Sequence, residues 1–292
     1  MCGAARLILL KHSHMIDCPD VRKSVIRNHY NLTTLFYRLL WGRHIHHGLW
    51  NDSESPARAQ LQLTEALASA AGIQPNATVL DVGCGMGGSS IHLAKTLNCN
   101  VTGITLSRLQ RHWAGWSSFR RGTSGNTSFR CVDAELAEFE EAAFDVVWSI
   151  ECTEHLFDKP AFFQKVAGWL RPGGRVAICA WLAGDDVTDG PAAQQVYDVC
   201  EGFFCPSLGS SADYRTWMEQ AGLEFDDYQD WTDRVTQTWE ICRRRVEQTG
   251  MRHIARLLGV NTTMFVDRFN TILEAYRSGA MRYGCLIARR RS

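Results

Sequence analysis

Val79-Leu80-Asp81-Val82-Gly83-Cys84-Gly85-Met86-Gly87-Gly88 runs from a short apolar stretch into a glycine-rich turn. Val79 to Val82 reads as a buried strand, and from Ser89 to about Leu97 the apolar residues return at helical spacing. Gly83, Gly85 and Gly88 match G-x-G-x-x-G between that strand and helix. Glycines there let the backbone turn tightly and approach a ligand, while the helix points its N-terminal amides at it. The motif alone fits a dinucleotide-binding dehydrogenase or an enzyme with another nucleoside cofactor. Two neighbouring features separate these. Asp81 stands two residues before the first glycine, where a pyrophosphate would meet a like charge and an ammonium an opposite one. About 20 residues on, where an NAD enzyme places an acid on the ribose, the chain reads Gly103-Ile104-Thr105-Leu106-Ser107. A cofactor with a positive amino group and no pyrophosphate fits better, and S-adenosylmethionine is one.

Outward from this turn, strands and helices alternate. Further strands are predicted at Val101–Ile104, Phe129–Val132, Phe144–Ser149 and Arg175–Trp181, with a helix from Leu106 to about Phe119. This pattern implies a parallel sheet with helices on both faces. Upstream, apolar residues recur at helical spacing from Val21 to about Trp41, and Ser55-Pro56 reads as cap and first residue of a helix over 56–71, stopped by Gly72. Downstream, 184–279 is mostly helical with one strand at Glu224–Trp231, and Tyr283–Ala288 reads as a last strand. The expected organisation is a helical N-terminal lid at 1–72, a cofactor-binding core at 73–183, an acceptor-binding region at 184–279, and a final core strand with its tail at 280–292.

Composition narrows the function classes. In 292 residues, 31 Lys+Arg balance 31 Asp+Glu, which argues against an electrostatic footprint for nucleic acid or anionic membrane. The 11 cysteines form no C-x-x-C pair, so zinc ribbons and dithiol redox motifs lack support. Free thiols fit a cytoplasmic protein. The apolar run Leu7–Leu10 is too short for a signal peptide, and no window is long enough for stable membrane insertion. His44, His46 and His47 have no Cys or carboxylate at ligand spacing, so no metal is expected. The runs Arg243–Arg245 and Arg289–Arg291 read as solvated ends.

The segment Val79–Ser90 resembles the first cofactor motif of class I S-adenosylmethionine-dependent methyltransferases, and is most similar to the γ-tocopherol methyltransferase-like group, with kinship to sterol C-methyltransferases and bacterial small-molecule methyltransferases. The likeness extends from about Tyr30 to Arg289. It takes in Trp41-Gly42, His46-His47-Gly48, Gly103–Ser107 with Gln110, Trp148-Ser149-Ile150-Glu151 with Glu154-His155, Arg171–Gly174, Ser211–Tyr214 and Asp230-Trp231. It implies a Rossmann-like seven-stranded α/β fold with helical insertions. It also implies that Asp81, Gly83 and Gly85 hold the methionine portion of the cofactor, that Thr105, Leu106 and Gln110 border ribose and adenine, and that Asp133 and Ala134 lie beside the adenine amino group. Tyr30 or Tyr37 would stand for the relatives' N-terminal tyrosine, although Asn31 follows Tyr30 where some relatives have Asp. Glu151 would face the sulfonium and the acceptor.

His155 follows the active-site end of the fourth strand, and an imidazole takes a proton near neutral pH, so it is the candidate base. Trp181, with Phe203, Phe204 and Tyr214 in the helical additions, would line an apolar acceptor pocket. The expected activity is methyl transfer to a small, hydrophobic, cyclic secondary metabolite, with carbon favoured over nitrogen as acceptor atom. Two further readings are a cofactor-binding protein that steers a cyclisation or rearrangement without methyl transfer, and an inactive partner subunit. The sequence leaves the oligomeric state open.

Overall fold

The computed structural model describes residues 15–40 and 44–292. The run at 7–10 and the Trp41-Gly42 pair lie outside the described residues, as does the side chain of Tyr37. The chain order is β1 (Ile16–Asp17), α1 (Lys23–Leu40), α2 (Pro56–Ala70), β2 (Thr78–Val82), α3 (Gly88–Leu97), β3 (Asn100–Thr105), α4 (Arg108–Arg120), β4 (Thr127–Cys131) and β5 (Phe144–Ile150). A 3-10 turn at Thr153–His155 leads to α5 (Lys159–Trp169), β6 (Leu170–Ala183), α6 (Gly190–Phe203), β7 (Ser207–Leu208), α7 (Ser211–Gln220) and β8 (Leu223–Asp230). Then come α8 (Thr232–Val235), α9 (Gln237–Gln248), α10 (Met251–Leu258), α11 (Val260–Asp267), α12 (Phe269–Ser278) and β9 (Met281–Arg290).

Seven strands form one sheet in the order β4-β3-β2-β5-β6-β9-β8. β2, β3, β4, β5 and β6 pair in parallel, and β9 alone runs against its neighbours β6 and β8. The order turns outward on both sides of β2, which opens a crevice at the strands' carboxyl ends, where ligands of such sheets bind. Strand alternation splits the core. Val79, Trp148, Cys179 and Tyr283 face one apolar layer, while Leu80, Val82, Val147 and Ile178 face the other.

The first layer is finished by the additional helices: Val196, Val199 and Phe203 of α6, Trp239 of α9, Phe265 of α11, and Phe269 and Ile272 of α12 are buried in it. Phe203 meets the Trp239 and Phe265 rings with centroids 5.2 Å apart in each case. These helices are thus built onto the sheet face that the crevice opens on. Antiparallel pairing of β1 with β7 anchors the start of the described chain to the same region.

Local signals act as their chemistry requires. Ser55 caps α2 by accepting from the Arg58 amide, Pro56 begins the helix, and Gly72 leaves it at φ +59°. At α7 the Ser210 hydroxyl accepts from the Asp213 amide while Asp213 accepts from the Ser210 amide, a reciprocal cap.

Candidate active site

Two cavities meet at the carboxyl ends of β2, β3, β5 and β6. The first is lined by Asp81, Gly83 and Gly85 from β2 and its turn, Thr105, Leu106 and Gln110 after β3, Glu151 after β5, and Tyr30, Ile45, His46 and His155. The second is lined by His29, His47, Glu154, Trp181, Phe203, Thr238, Trp239 and Phe265. Tyr30, Ile45, His46, Glu151 and His155 border both and form the passage between them.

Asp81 is buried to 2% exposure on the central strand. Burial pushes its carboxyl up to about 7, against the Ser90 hydroxyl that donates to it at 2.5 Å. The turn beyond it is held tightly: Gly83 and Cys84 both donate their amides to Ile104 O at 3.0 Å. Gly83 sits at φ +79°, and a Cβ there would lie 2.4 Å from that of Cys152. Gly85 sits at φ +51°, and a Cβ would meet nothing within 4 Å among the described residues. It would enter the cavity instead. Across the turn, the Thr105 hydroxyl donates to Gln110 Oε1 at 2.8 Å, and Ser107 Oγ donates to Asn31 Oδ1 at 2.7 Å, tying α1 to the start of α4.

Glu151 occupies the passage in a left-handed conformation, φ +51°, which costs a non-glycine residue about 1–3 kcal/mol and must be held by its surroundings. Its Oε1 accepts from the His47 amide at 2.8 Å, His47 Nδ1 at 2.9 Å and the Tyr283 hydroxyl at 2.7 Å. The indole of Trp239 can only donate, and it donates to His47 Nε2 at 2.5 Å. His47 Nδ1 therefore carries the ring proton and gives it to Glu151. Burial alone would raise the Glu151 carboxyl, but its His47 contacts outweigh that and hold it below the usual carboxylate range. His46 is fixed in the same way. Its Nδ1 donates to His47 O at 2.7 Å and its Nε2 faces His44 Nδ1 at 3.1 Å, so these rings form a hydrogen-bonded chain and no metal-binding cluster is present among the described residues.

His155 departs from the sequence expectation. Its Nδ1 donates to Phe204 O at 3.1 Å, so Nε2 is the acceptor, and the Tyr30 hydroxyl donates to it at 2.8 Å. Burial pushes this imidazole down to about 4. It is neutral near pH 7 with its lone pair engaged, not a free base tuned to neutrality. Glu154, on the same turn, accepts the Trp181 amide at 2.6 Å on Oε1, and its Oε2 has no partner among the described residues. Burial pushes its carboxyl up to about 8, so it too is neutral near pH 7.

Asp81, Gly83, Gly85, Thr105, Leu106, Gln110, Tyr30, Glu151 and His155 thus come together at the first cavity, and Trp181 and Phe203 at the second. Four expected residues do not join them. Asp133 is ion-paired with Lys23 at 2.6 Å, and Ala134 packs into the opposite apolar layer with Ile104. Phe204 turns its ring onto His29, with centroids 4.8 Å apart, and contributes only its carbonyl beside His155. Tyr214 is buried on the other face of the sheet, where its hydroxyl donates to Thr153 Oγ1 at 2.7 Å and supports the Thr153–His155 turn.

Sequence reasoning passed over Tyr283, His29 and Phe265, and placed Trp239 only among the aromatic residues of the helical additions without assigning it to the pocket. Tyr283 had a signal. It pairs across the antiparallel ladder with Trp181, so alternation places both on the cavity-side face. The other three lie on added helices, whose packing no short-range pattern specifies.

A sheet with one reversed strand, a left-handed glycine turn after β2 and a buried acid at its tip define a class I nucleoside-cofactor fold. The chain belongs to the mycolic acid cyclopropane synthetase family, whose profile matches residues 19–282, and it is an S-adenosylmethionine-dependent methyltransferase. It is 29% identical over 281 residues to the chloroplastic tocopherol O-methyltransferase of Arabidopsis thaliana, covering 89% of this chain and 80% of the relative. It is 29% identical over 241 residues to the 27-O-demethylrifamycin SV methyltransferase of Amycolatopsis mediterranei, covering 80% and 86%. In fold it is similar to the [4+2]-cyclase SpnF, with TM-score 0.81, 22% identity and coverage of 94% and 98%. It is similar also to the geranyl diphosphate C-methyltransferase of Streptomyces coelicolor, with TM-score 0.74, 20% identity and coverage of 94% and 99%. At such identities the two structures speak to fold alone.

Proposed function

We propose that the chain methylates a small, hydrophobic, cyclic secondary metabolite, carbon ahead of nitrogen, in a step that leaves positive charge on the acceptor. One observation carries the proposal. The second cavity is walled by the rings of Tyr30, Trp181, Phe203, Trp239 and Phe265, no lysine or arginine lines it among the described residues, and Glu151 stands where it joins the first.

The cofactor fits the first cavity on the chemistry of Asp81. A buried carboxylate whose partners are the hydroxyl and backbone of one serine, Ser90, is costly unless a cation joins it, and the cofactor's α-ammonium is such a cation. Asp81 with the Gly83 and Gly85 backbone would hold the amino-acid end, and Thr105, Leu106 and Gln110 the nucleoside. When bound, S-adenosylmethionine supplies a methyl group already activated on a positively charged sulfur.

The protein then has to align, dehydrate and stabilise charge. The walls of the second cavity exclude water and present aromatic faces, which attract a cation. Glu151, fixed by three donors, keeps one negative charge at the passage. Tyr30 and the neutral His155 hold the passage's shape; a methylated carbon must also lose a proton, which the ionised Glu151 at the passage would accept, whereas a quaternised nitrogen has none to lose. The test is incubation with cofactor carrying a heavy-isotope methyl and a panel of cyclic terpenoid, phenolic and tertiary-amine acceptors, read by mass spectrometry. Label on a carbon or a quaternised nitrogen supports the proposal. Label only on phenolic oxygen overturns it.

A further inference from the structure

The outward face of α4 combines exposed apolar side chains with cations. The helix buries Gln110, Ala114 and Ser118, at steps of four residues. Opposite them it exposes Leu109, Trp116 and Phe119, the last to 73%. From residue 108 to 121 the sequence holds Arg108, Arg111, His112, Arg120 and Arg121 and not one acidic residue, although the whole chain balances its charges. The aromatics and cations interleave. The Trp113 and Trp116 rings lie 5.5 Å apart, and the Arg120 guanidinium sits 5.0 Å over Trp116. Trp113, Trp116, Ser117, Arg120 and Arg121 line a surface recess with Met86 and Gly88.

We propose that this face docks the enzyme on an anionic phospholipid surface. Charge complementarity selects the occupant: cations without a counter-acid on the same helix ask for a dense array of negative charge, and a phosphate headgroup layer is one. Tryptophan and phenylalanine beside arginines are also the side chains that settle at headgroup depth. The docking is peripheral, since among the described residues no helix is long and apolar enough to cross a membrane. Its place has a consequence. Leu106, Ser107 and Gln110, at the start of α4, line the cofactor cavity, so docking holds the active site next to the lipid surface, where hydrophobic molecules collect.

The experiment is co-sedimentation of the full chain with sucrose-loaded vesicles of phosphatidylcholine alone or mixed with phosphatidylglycerol, at low and high salt. Wild type should bind the mixed vesicles and release at high salt. Arg108→Gln with Arg120→Gln should weaken binding by roughly 25-fold, at about fivefold per arginine. Trp116→Ser with Phe119→Ser should weaken it by roughly tenfold or more. Both variants leave the buried side of α4 intact and should keep wild-type circular dichroism and cofactor affinity, so a folding defect is separable. The proposal is overturned by equal binding to neutral vesicles, or by no binding to either kind. It is equally overturned by tighter binding of a polyuridylate oligonucleotide, or by a wild-type dimer that the α4 variants turn into a monomer. Because vesicle binding is read without an acceptor, its failure is distinguishable from failure of the methyl-acceptor proposal.

Discussion

Cofactor affinity should depend on pH through Asp81. Burial places this carboxyl at about 7, so at pH 6 about nine-tenths of the molecules carry it protonated and unable to meet an ammonium. Binding must then expel the proton, and the Asp81 contribution weakens affinity roughly tenfold between pH 8 and pH 6. The cofactor's own α-amino group, with an ordinary pKa near 8, loses about half its charge at pH 8. The two effects combine to put the tightest binding at about pH 7.5, and binding roughly sixfold weaker at pH 6. Isothermal titration in buffers of different ionisation enthalpy reads both the affinity and the released proton. Asp81→Asn should bind more weakly at pH 7.5 and lose the acid-side slope. The same burial has a stability sign. The folded carboxyl holds its proton more firmly than the unfolded one, from 3.8 to about 7, so the protein without cofactor loses stability as pH rises through that window, by about 4 kcal/mol. Asp81→Asn should therefore raise the Tm of the cofactor-free protein at pH 8 while impairing binding. Equal affinities at pH 6 and 7.5, or an unchanged slope in Asp81→Asn, would refute the reasoning.

Gly83→Ala puts a Cβ 2.4 Å from that of Cys152 at a positive φ, and should lower the Tm by roughly 5–10 °C in thermal unfolding. Gly85→Ala meets no such neighbour, so its loss should fall on cofactor affinity more than on stability, as titration alongside Gly83→Ala would show. Glu151→Gln keeps the shape of the passage and removes its charge; kcat should fall by roughly 100-fold with cofactor affinity changed only a few-fold, measured by single-turnover methyl transfer. Because burial pushes His155 down to about 4, the kcat–pH profile should show no inflection near 6.5, and Tyr30→Phe should not create one.

The half of the fold around β2 was legible because each signal there is local. The apolar run at Val79–Val82, the glycine turn and the alternation of strands with helices fix five parallel neighbours, and Asp81 lies within that grammar. The passage was half legible. Glu151 and His155 stand in one short segment, but the donors that set their states come from far along the chain: His47 lies 104 residues from Glu151, Tyr283 132, and Tyr30 125 from His155. The second cavity was least legible. Aromatic residues on added helices look alike whether they line a pocket or fill a core, so Phe203 and Tyr214 read the same until the sheet separates their faces. The proton state of His155 was illegible for a related reason. A sequence gives the ordinary pKa of imidazole, whereas burial, absent from the sequence, moves it out of the neutral range.

Burial also explains why Glu151 stands apart electrostatically. Around the two cavities it drives Asp81 up to about 7 and Glu154 up to about 8, and pushes His155 down to about 4 and His29 to about 3. Each of these groups moves toward neutrality. Among the described carboxyls that line the two cavities, Glu151 alone is held below its ordinary range, because the His47 contacts and the nearby His46 outweigh the same penalty. In the proposed methyl transfer, such an arrangement would stabilise positive charge on either side of the passage. A second fixed charge would bias the charge toward one side, whereas a carboxylate in the passage attracts it throughout. On that proposal Trp239 and Tyr283 would act as positioning residues for the Glu151 charge: the indole sets the His47 tautomer, and the phenol completes the three donors on Oε1. Holding one carboxylate ionised in this apolar site thus depends on residues contributed by the helical additions and by the last strand of the sheet.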